Sequence, residues 1–267
     1  MNILRVVRRY FTLWFLFAKH ELLFQFSSKS TMLFFFIGKL IRFTSLMLIL
    51  IMFRLNTKGL AGYSIDEVIV FFLTFNLIDI ISQMVFRGVY SLSGKVRTGE
   101  FDFFLMRPVN PLFRSLTGQP DFNDLLMFVP LIGFTVWYIS RALPTLSIAH
   151  ILLYLLLLGN GLIIAAAFHI FVICIGVVST EVDNTITLYR DLSQMGRFPM
   201  EIYREPLRGI LTFIVPIGIM MAVPAKALLG LLSPQIIVIS FAISITMFLL
   251  ALFAWDRSLK SYASASS

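Results

Sequence analysis

The chain has 267 residues, of which 58% are hydrophobic and only 13% are charged. Soluble domains are about 25% charged, and this composition, with a mean hydropathy of +0.90, excludes a water-exposed globular domain built on a single core. The net charge of +8 does not indicate nucleic-acid binding, because the basic residues flank apolar segments and suit anionic lipid headgroups and membrane orientation instead.

The first segment, residues 1–28, is apolar but interrupted by cations. Arg5, Arg8, Arg9 and Lys19 recur at roughly helical spacing among aromatic residues. This pattern predicts an amphipathic helix that lies on the cytosolic surface of the membrane. The alternative is a short seventh spanning helix, which three arginines in the first turns disfavour.

Six apolar segments follow, and each suits a membrane-spanning helix. A helix needs about 20 residues to cross the hydrocarbon core, and unpaired backbone groups are costly in lipid, so we expect helices rather than irregular chain. The third segment is short and contains Pro130 and Gly133, whereas the fourth is longer than a bilayer requires. The predicted spans are Met32–Phe53, Val68–Gly88, Leu125–Ile139, Ile148–Val178, Ile210–Leu229 and Gln235–Ala254.

Lysine and arginine residues concentrate in alternate gaps between these spans. With the N-terminus inside, 16 of them fall on the cytosolic side and 4 on the outer side, while Lys39 and Arg42 lie within the first span. The positive-inside rule then places both termini in the cytosol. On this topology the two long cytosolic loops are residues 89–124 and 179–209.

The predicted fold class is therefore an all-α integral membrane protein with six transmembrane helices behind an interface helix. Its divisions are the interface helix at 1–28, the six-helix transmembrane domain at 29–257 with the cytosolic loop 89–124, and a short flexible tail at 258–267.

Signals for catalysis are weak. The three histidines are far apart, and no His or carboxylate pair has the spacing of zinc ligands. The pair Gly94-Lys95 resembles the end of a phosphate-binding loop. However, Val89 and Val96 stand where that loop requires Gly and Ser or Thr. We therefore predict a chain that is not itself an enzyme and holds no metal or cofactor.

Polar residues inside the spans are costly in lipid and are therefore candidates for function. Lys39 and Arg42 lie in the inner half of the first span. Asp79 lies near the middle of the second span, close to Asn76. At about 1.5 Å per residue, an ion pair between Asp79 and either cation is geometrically possible; we favour a helix-locking role over substrate or proton binding. His169, in the fourth span, either lines a path or bonds helix to helix.

The sharpest signal lies in the loop 89–124, where aromatic residues, both signs of charge and two prolines occur together. Gly99 and Pro108 would bound a short amphipathic helix by their backbone preferences. On a membrane surface without a partner, such a loop would contact lipid alone. With a partner, the helix would offer four apolar side chains to a groove: Phe101, Phe103, Phe104 and Leu105.

This loop resembles the motif of a bacterial group of permeases in the type-2 ABC transporter superfamily. The sequence GEFDFFLMRPVNPLF at 99–113 has the glycine, the acidic pair around an aromatic residue, and the Leu-x-Arg-Pro-x-Asn-Pro of that motif. Further similar stretches are RFPMEIY at 197–203, LTFIVP at 211–216 and VPA at 223–225. With the six-span layout, the resemblance covers most of the chain, although residues 118–124 depart from the pattern.

The resemblance implies a permease subunit of an ATP-driven exporter in the bacterial inner membrane. Two permease halves, identical or different, would pair in the bilayer above two copies of a cytosolic ATPase subunit. That ATPase would hold the ATP and Mg²⁺, and the cargo is not named because the family has no single substrate. The residues implied to couple the permease to the ATPase are Gly99, Glu100, Asp102, Phe103, Phe104, Arg107 and Pro108.

Two other classes of protein stay open at this stage. One is an ion-coupled secondary carrier or channel that uses Asp79 with Lys39 or Arg42. The absence of an evident internal repeat and the scarcity of broken-helix signals disfavour it. The other is a membrane-embedded assembly subunit without a transport path.

Overall fold

The computed structural model describes residues 3–27, 29–57, 59–179 and 182–262. Within these ranges the chain forms helices joined by turns, with no β-strand. The helices in chain order are α1 (Ile3–Phe26), α2 (Lys29–Asn56), α3 (Ile65–Phe86), α4 (Leu92–Arg97), α5 (Asp102–Met106), α6 (Pro111–Thr117), α7 (Phe122–Ala142), α8 (Ile148–Ser179), α9 (Val182–Gln194), α10 (Leu207–Ile214), α11 (Gly218–Leu228) and α12 (Pro234–Lys260).

Five helices in the described ranges, α2, α3, α7, α8 and α12, are long and apolar enough to span a membrane. They confirm five of the six predicted spans and the class of all-α membrane protein. The sequence of α8 is apolar on all sides, as expected for a helix surrounded by others. It packs against α3, α11 and α12 and supplies buried residues such as Ile164, Ala165 and Ile173 to the core.

Polar contacts join α2, α3 and α7 at the end of the bundle that we call the outer end, opposite the inner end that holds α5. Ser64 and Glu67 form a capping box that starts α3. Between these two residues, Asp66 pairs with Arg54 of α2 at 3.1 Å and accepts a hydrogen bond of 2.6 Å from Tyr138 of α7. These contacts hold the outer ends of the three helices together.

The segment after α8 differs from the predicted cytosolic loop 179–209. It begins at the inner end, where Val182 packs so closely on Gly176 that a side chain at that glycine would collide with it. From there α9 runs back along α8, and the ring of Tyr189 lies 4.9 Å from that of His169. His169 is about 10 residues, or roughly 15 Å of helix, above the end of α8.

Beyond α9 the chain continues into the outer half of the bundle. The guanidinium of Arg197 lies 5.1 Å from the centre of the Phe75 ring, in the middle of α3. Glu201 then pairs with Lys226 at 2.6 Å, and its carboxylate lies near Tyr63 of the outer turn. Burial, together with this carboxylate, raises the pKa of Tyr63 to about 12, so the phenol keeps its proton at neutral pH. The prediction of a loop confined to the cytosol is therefore wrong.

The predicted fifth span, Ile210–Leu229, is not one helix. Its two parts, α10 and α11, meet at an angle of 74° beside Pro216, whose ring cannot continue a helix. The backbone at Met220 packs on Gly161, near the middle of α8. Since the preceding segment already reaches the outer half, this pair re-enters the bundle from that side and returns to it. Hydropathy missed the difference because both arrangements need apolar residues.

Both ends of the described chain lie at the inner end of the bundle. The ring of Tyr10 in α1 packs on Phe113 of α6, with 4.7 Å between ring centres, and Tyr262 contacts α5. Helix α12 extends to Lys260 with Ser258 buried, so the predicted boundary of a flexible tail at 258 is too early. Residues 263–267 lie outside the described ranges. The cytosolic location of both termini stays a prediction.

Helix α1 exposes an apolar face. Apolar residues of α1 at helical spacing are exposed, among them Leu4, Val7, Phe11 and Phe15, while the arginines lie between them in sequence. A monomer that exposes such a face in water would be unstable, whereas a membrane surface would cover it. Its position at the cytosolic surface stays a prediction.

Candidate coupling surface and cationic cleft

The segment that follows α4 forms the short helix predicted between Gly99 and Pro108. Gly99 has a φ of +77°, a conformation that glycine adopts without strain. The turn closes with a hydrogen bond of 3.0 Å from the Phe101 amide to the Lys95 carbonyl, and α5 begins directly afterwards.

Helix α12 and the residues that follow it pack against the buried side of this turn. The Phe101 ring is completely buried and lies edge-on to the rings of Tyr262 and Trp255, at 5.1 Å and 6.4 Å between centres. Tyr262 also donates a hydrogen bond of 2.9 Å to Asp102. The expectation that Phe101 faces a partner is therefore wrong, and Asp102 is engaged within the chain.

Phe104 is also internal, with 6% of its surface exposed. Its ring lies between two cations: the Arg114 guanidinium at 4.1 Å and the Lys95 ammonium at 5.3 Å from the ring centre. Partial burial and the neighbouring charge of Arg107 lower the pKa of Arg114 from its ordinary value, but a guanidinium stays protonated in proteins. The expectation that Phe104 anchors a partner is therefore wrong.

The outward face of this turn consists of Glu100, Phe103, Met106 and Arg107, which we call the α5 surface. Phe103 and Met106 stand three residues apart within α5, on one side of the helix, while Glu100 precedes the helix and Arg107 follows it. Phe103 and Met106 are 55% and 71% exposed, and both charged residues are exposed. Two solvent-facing apolar side chains between opposite charges are a feature of a docking site.

Helices α1 and α6 flank the α5 surface. Arg9 of α1 donates a hydrogen bond of 2.8 Å to the Pro108 carbonyl, and Asn110 caps α6 by accepting from the amides of Leu112 and Phe113. The proline that follows Asn110 takes the first helical position, where a missing N–H costs nothing. The motif that suggested a permease therefore builds a well-ordered surface.

A second polar site, which we call the cationic cleft, lies between α2, α3, α7 and the α9 segment, with a volume of about 90 Å³. Asp79, Asp124 and Asn76 line it together with five cations, and Asn76 also donates a hydrogen bond of 2.7 Å to its own helix at the Phe72 carbonyl. The five cations are Lys39, Arg42, Arg87, Arg190 and Arg197.

The expected pair between Asp79 and Lys39 or Arg42 does not form. Lys39 instead forms ion pairs with two carboxylates at the start of α7. One is Asp124 and the other is Asp121, at 3.4 Å. Arg87 contacts the same Asp121 at 3.1 Å. Carboxylates at a helix N-terminus are favoured by the helix dipole, and here they also tie α2 and α3 to α7. In the described ranges, Asp79 has no ion pair within 4 Å.

His169 does not line the cleft. It is completely buried, its Nδ1 lies 2.7 Å from the Ala165 carbonyl, and the rings of Phe86 and Tyr189 lie 5.1 Å and 4.9 Å from its own. Of the two interpretations that its sequence allowed, these contacts favour helix packing over a place on a path.

Several residues of these sites were missed from sequence. Arg190 and Arg197 were assigned to a cytosolic loop, although their approach to Asp79 depends on α9 turning back into the bundle. Asp121 and Asp124 carried a signal, because they stand three residues apart at the start of a span. Tyr262 was assigned to the tail, and nothing local in its sequence indicates its contact with α5.

These features define an all-helical, multi-pass membrane protein with an ordered, exposed helical turn at one end and a charged cleft in its interior. A family model described as ABC-2 family transporter protein matches residues 40–266. The chain therefore belongs to this family and is an ABC permease. The match begins inside α2 and leaves α1 outside it. No curated protein and no solved structure matches the chain.

Proposed function

We propose that this permease is one half of an ATP-driven exporter in the bacterial inner membrane. It pairs with a second permease half and is driven by separate cytosolic ATPase subunits. Membership of the ABC-2 family supports an association with an ATPase. The observation that carries the finer proposal is the α5 surface, exposed on its outward side and held from behind by α12.

The chemistry of the α5 surface suits a groove on another protein. Phe103 and Met106 supply apolar area at its centre, and Glu100 and Arg107 supply opposite charges at its ends. Apolar side chains contribute most to affinity when a rim of polar contacts excludes water from them. Paired charges add orientation more than affinity. We expect the ATPase groove to present a basic group to Glu100 and an acidic group to Arg107.

The contacts behind α5 give a route by which movement of the ATPase reaches the membrane. Phe101 is wedged against Trp255 of α12, and α5 continues from α4, which packs on α8. Because packed elements move as rigid bodies, a push on α5 would move the inner ends of α8 and α12 together. Those helices form the most apolar part of the bundle and would transmit the movement outward.

The ion-coupled carrier is not favoured. Its predicted site required Asp79 to pair with Lys39 or Arg42, whereas Lys39 is held by the carboxylates of α7.

Co-purification of the ATPase with tagged variants of the permease in mild detergent tests the proposal. We expect E100K and R107E to recover at least about tenfold less ATPase than the native chain, because each places like charges in contact. R97E is the matched control, since Arg97 is exposed at the same end but lies outside the α5 surface. Equal recovery with all three variants, or no ATPase with the native chain, would contradict the proposal.

A further inference from the structure

We propose that the cationic cleft binds an anionic phosphate group, of the kind that a phospholipid headgroup presents. This site is distinct from the α5 surface, and the inference does not depend on the ATPase or on the direction of transport.

The charges of the cleft do not balance. Lys39 and Arg87 are neutralised by the two carboxylates at the start of α7. The other three cations, Arg42, Arg190 and Arg197, share Asp79 alone, and none of them is within 4 Å of it. Uncompensated charge within a membrane protein is costly. An anion in the cleft would remove that cost.

Arg197 is positioned to donate to such an anion. Its guanidinium stacks on Phe75, and its Nε is buried without a hydrogen-bond acceptor in the described ranges. Arg42 lines the same cleft. A phosphate between them would accept from both, and the planar fork of a guanidinium matches phosphate oxygens well.

The cleft reaches the surface of the bundle on the side of α2. Arg42 is exposed and lines a shallow groove on the outward face of that helix as well, beside Phe34, Phe35 and Gly38. A cation at the junction of a polar cleft and an apolar groove fits an amphiphile, with its headgroup inside and its acyl chain along α2. The volume of about 90 Å³ is enough for a phosphate group.

The test measures binding to the purified full-length protein in an uncharged detergent. Phosphatidylglycerol, phosphatidylcholine and inorganic phosphate are titrated separately, and bound lipid is counted by native mass spectrometry beside the shift in melting temperature. We expect saturable binding of phosphatidylglycerol and little of phosphatidylcholine, whose headgroup carries no net charge. If inorganic phosphate gives the same shift as the lipid, the site is supported with a free anion as its source.

Variants separate the cleft from general attraction of anions to a basic protein. R42Q and R197Q should each weaken phosphatidylglycerol binding about tenfold, as expected for the loss of a hydrogen bond to a charged group, and R197K should retain part of it. R8Q removes the same charge from the exposed face of α1 and should leave affinity unchanged. Because Arg42 is exposed, R42Q keeps the test informative if R197Q does not fold. Equal affinity in R42Q and R8Q, or equal binding of both lipids, would overturn the proposal.

Discussion

The phenol of Tyr262 donates a hydrogen bond of 2.9 Å to the carboxylate of Asp102, across 160 positions of sequence. The same tyrosine ring packs edge-on against Phe101. The end of the described chain and α5 therefore form one unit at the inner end of the bundle, and the orientation of the α5 surface depends on α12.

Removing that hydrogen bond should loosen α5 without unfolding the protein. In Y262F the ring keeps its contact with Phe101, so the change isolates the bond to Asp102. A net loss of about 1 kcal/mol should speed amide exchange in α5 roughly fivefold, as measured by hydrogen exchange with mass spectrometry. Exchange in the outer half of α8, residues 148–163, which lies at the opposite end of the bundle from Tyr262, provides the internal control. Unchanged exchange in α5 would show that ring packing alone holds it.

The neighbours Phe103 and Phe104 should respond differently to truncation. Phe103 is exposed and Phe104 is buried. F103A should lower recovery of the ATPase while leaving the melting temperature unchanged. F104A should destabilise the fold by about 3–5 kcal/mol, the usual cost of emptying a buried aromatic site, and lower the melting temperature. A stable F104A variant that loses the ATPase would contradict the assignment of Phe104 to the interior.

The course of the chain after α9 predicts from which side of the membrane a water-soluble reagent reaches position 204. The positive-inside pattern placed this exposed residue, Arg204, in the cytosol. However, Glu201 pairs with Lys226, four residues before Gly230, which packs on His150 at the outer start of α8, so the neighbourhood of Arg204 lies in the outer half. In a background in which the buried Cys174 is replaced by alanine, R204C should react with an impermeant maleimide added to intact cells.

The control for that experiment is T98C, at an exposed position of the inner end. It should react in inside-out vesicles and be protected in intact cells. The reverse pattern for R204C would restore the cytosolic loop that hydropathy and charge predicted.

Gly99 should tolerate alanine less well than Gly94, although a methyl group at either position meets no atom within 4 Å. The difference lies in the backbone. Gly99 has a φ of +77°, which costs about 1–2 kcal/mol for a residue with a side chain. Gly94 lies inside α4, where alanine favours the helix. G99A should therefore melt at a lower temperature than the native protein, and G94A at the same or a higher one. Equal effects would show that the turn adapts.

Much of the fold could be predicted because its determinants are local. An apolar run of about 20 residues forms a helix in lipid wherever it occurs, so five spans followed from composition alone. The α5 turn followed from the backbone preferences of Gly99 and Pro108 on either side. The path of the chain from the inner end to the outer half through α9 could not be predicted in this way. Helix α9 is short, polar on one side and followed by turns rather than by a continuous apolar helix.

The sequence by itself determined the class of protein, five of its helical spans and the segment that forms the α5 surface, since each depends on residues close together along the chain. Tertiary structure decided which faces are available and which charges meet. In the folded chain Phe101 and Phe104 are buried, and Lys39 pairs with the carboxylates of α7 rather than with Asp79. Arg190 and Arg197 line the cleft. The physical reason is that burial and ion pairing depend on how helices pack, and residues as far apart as Lys39 and Asp124 become neighbours only through that packing.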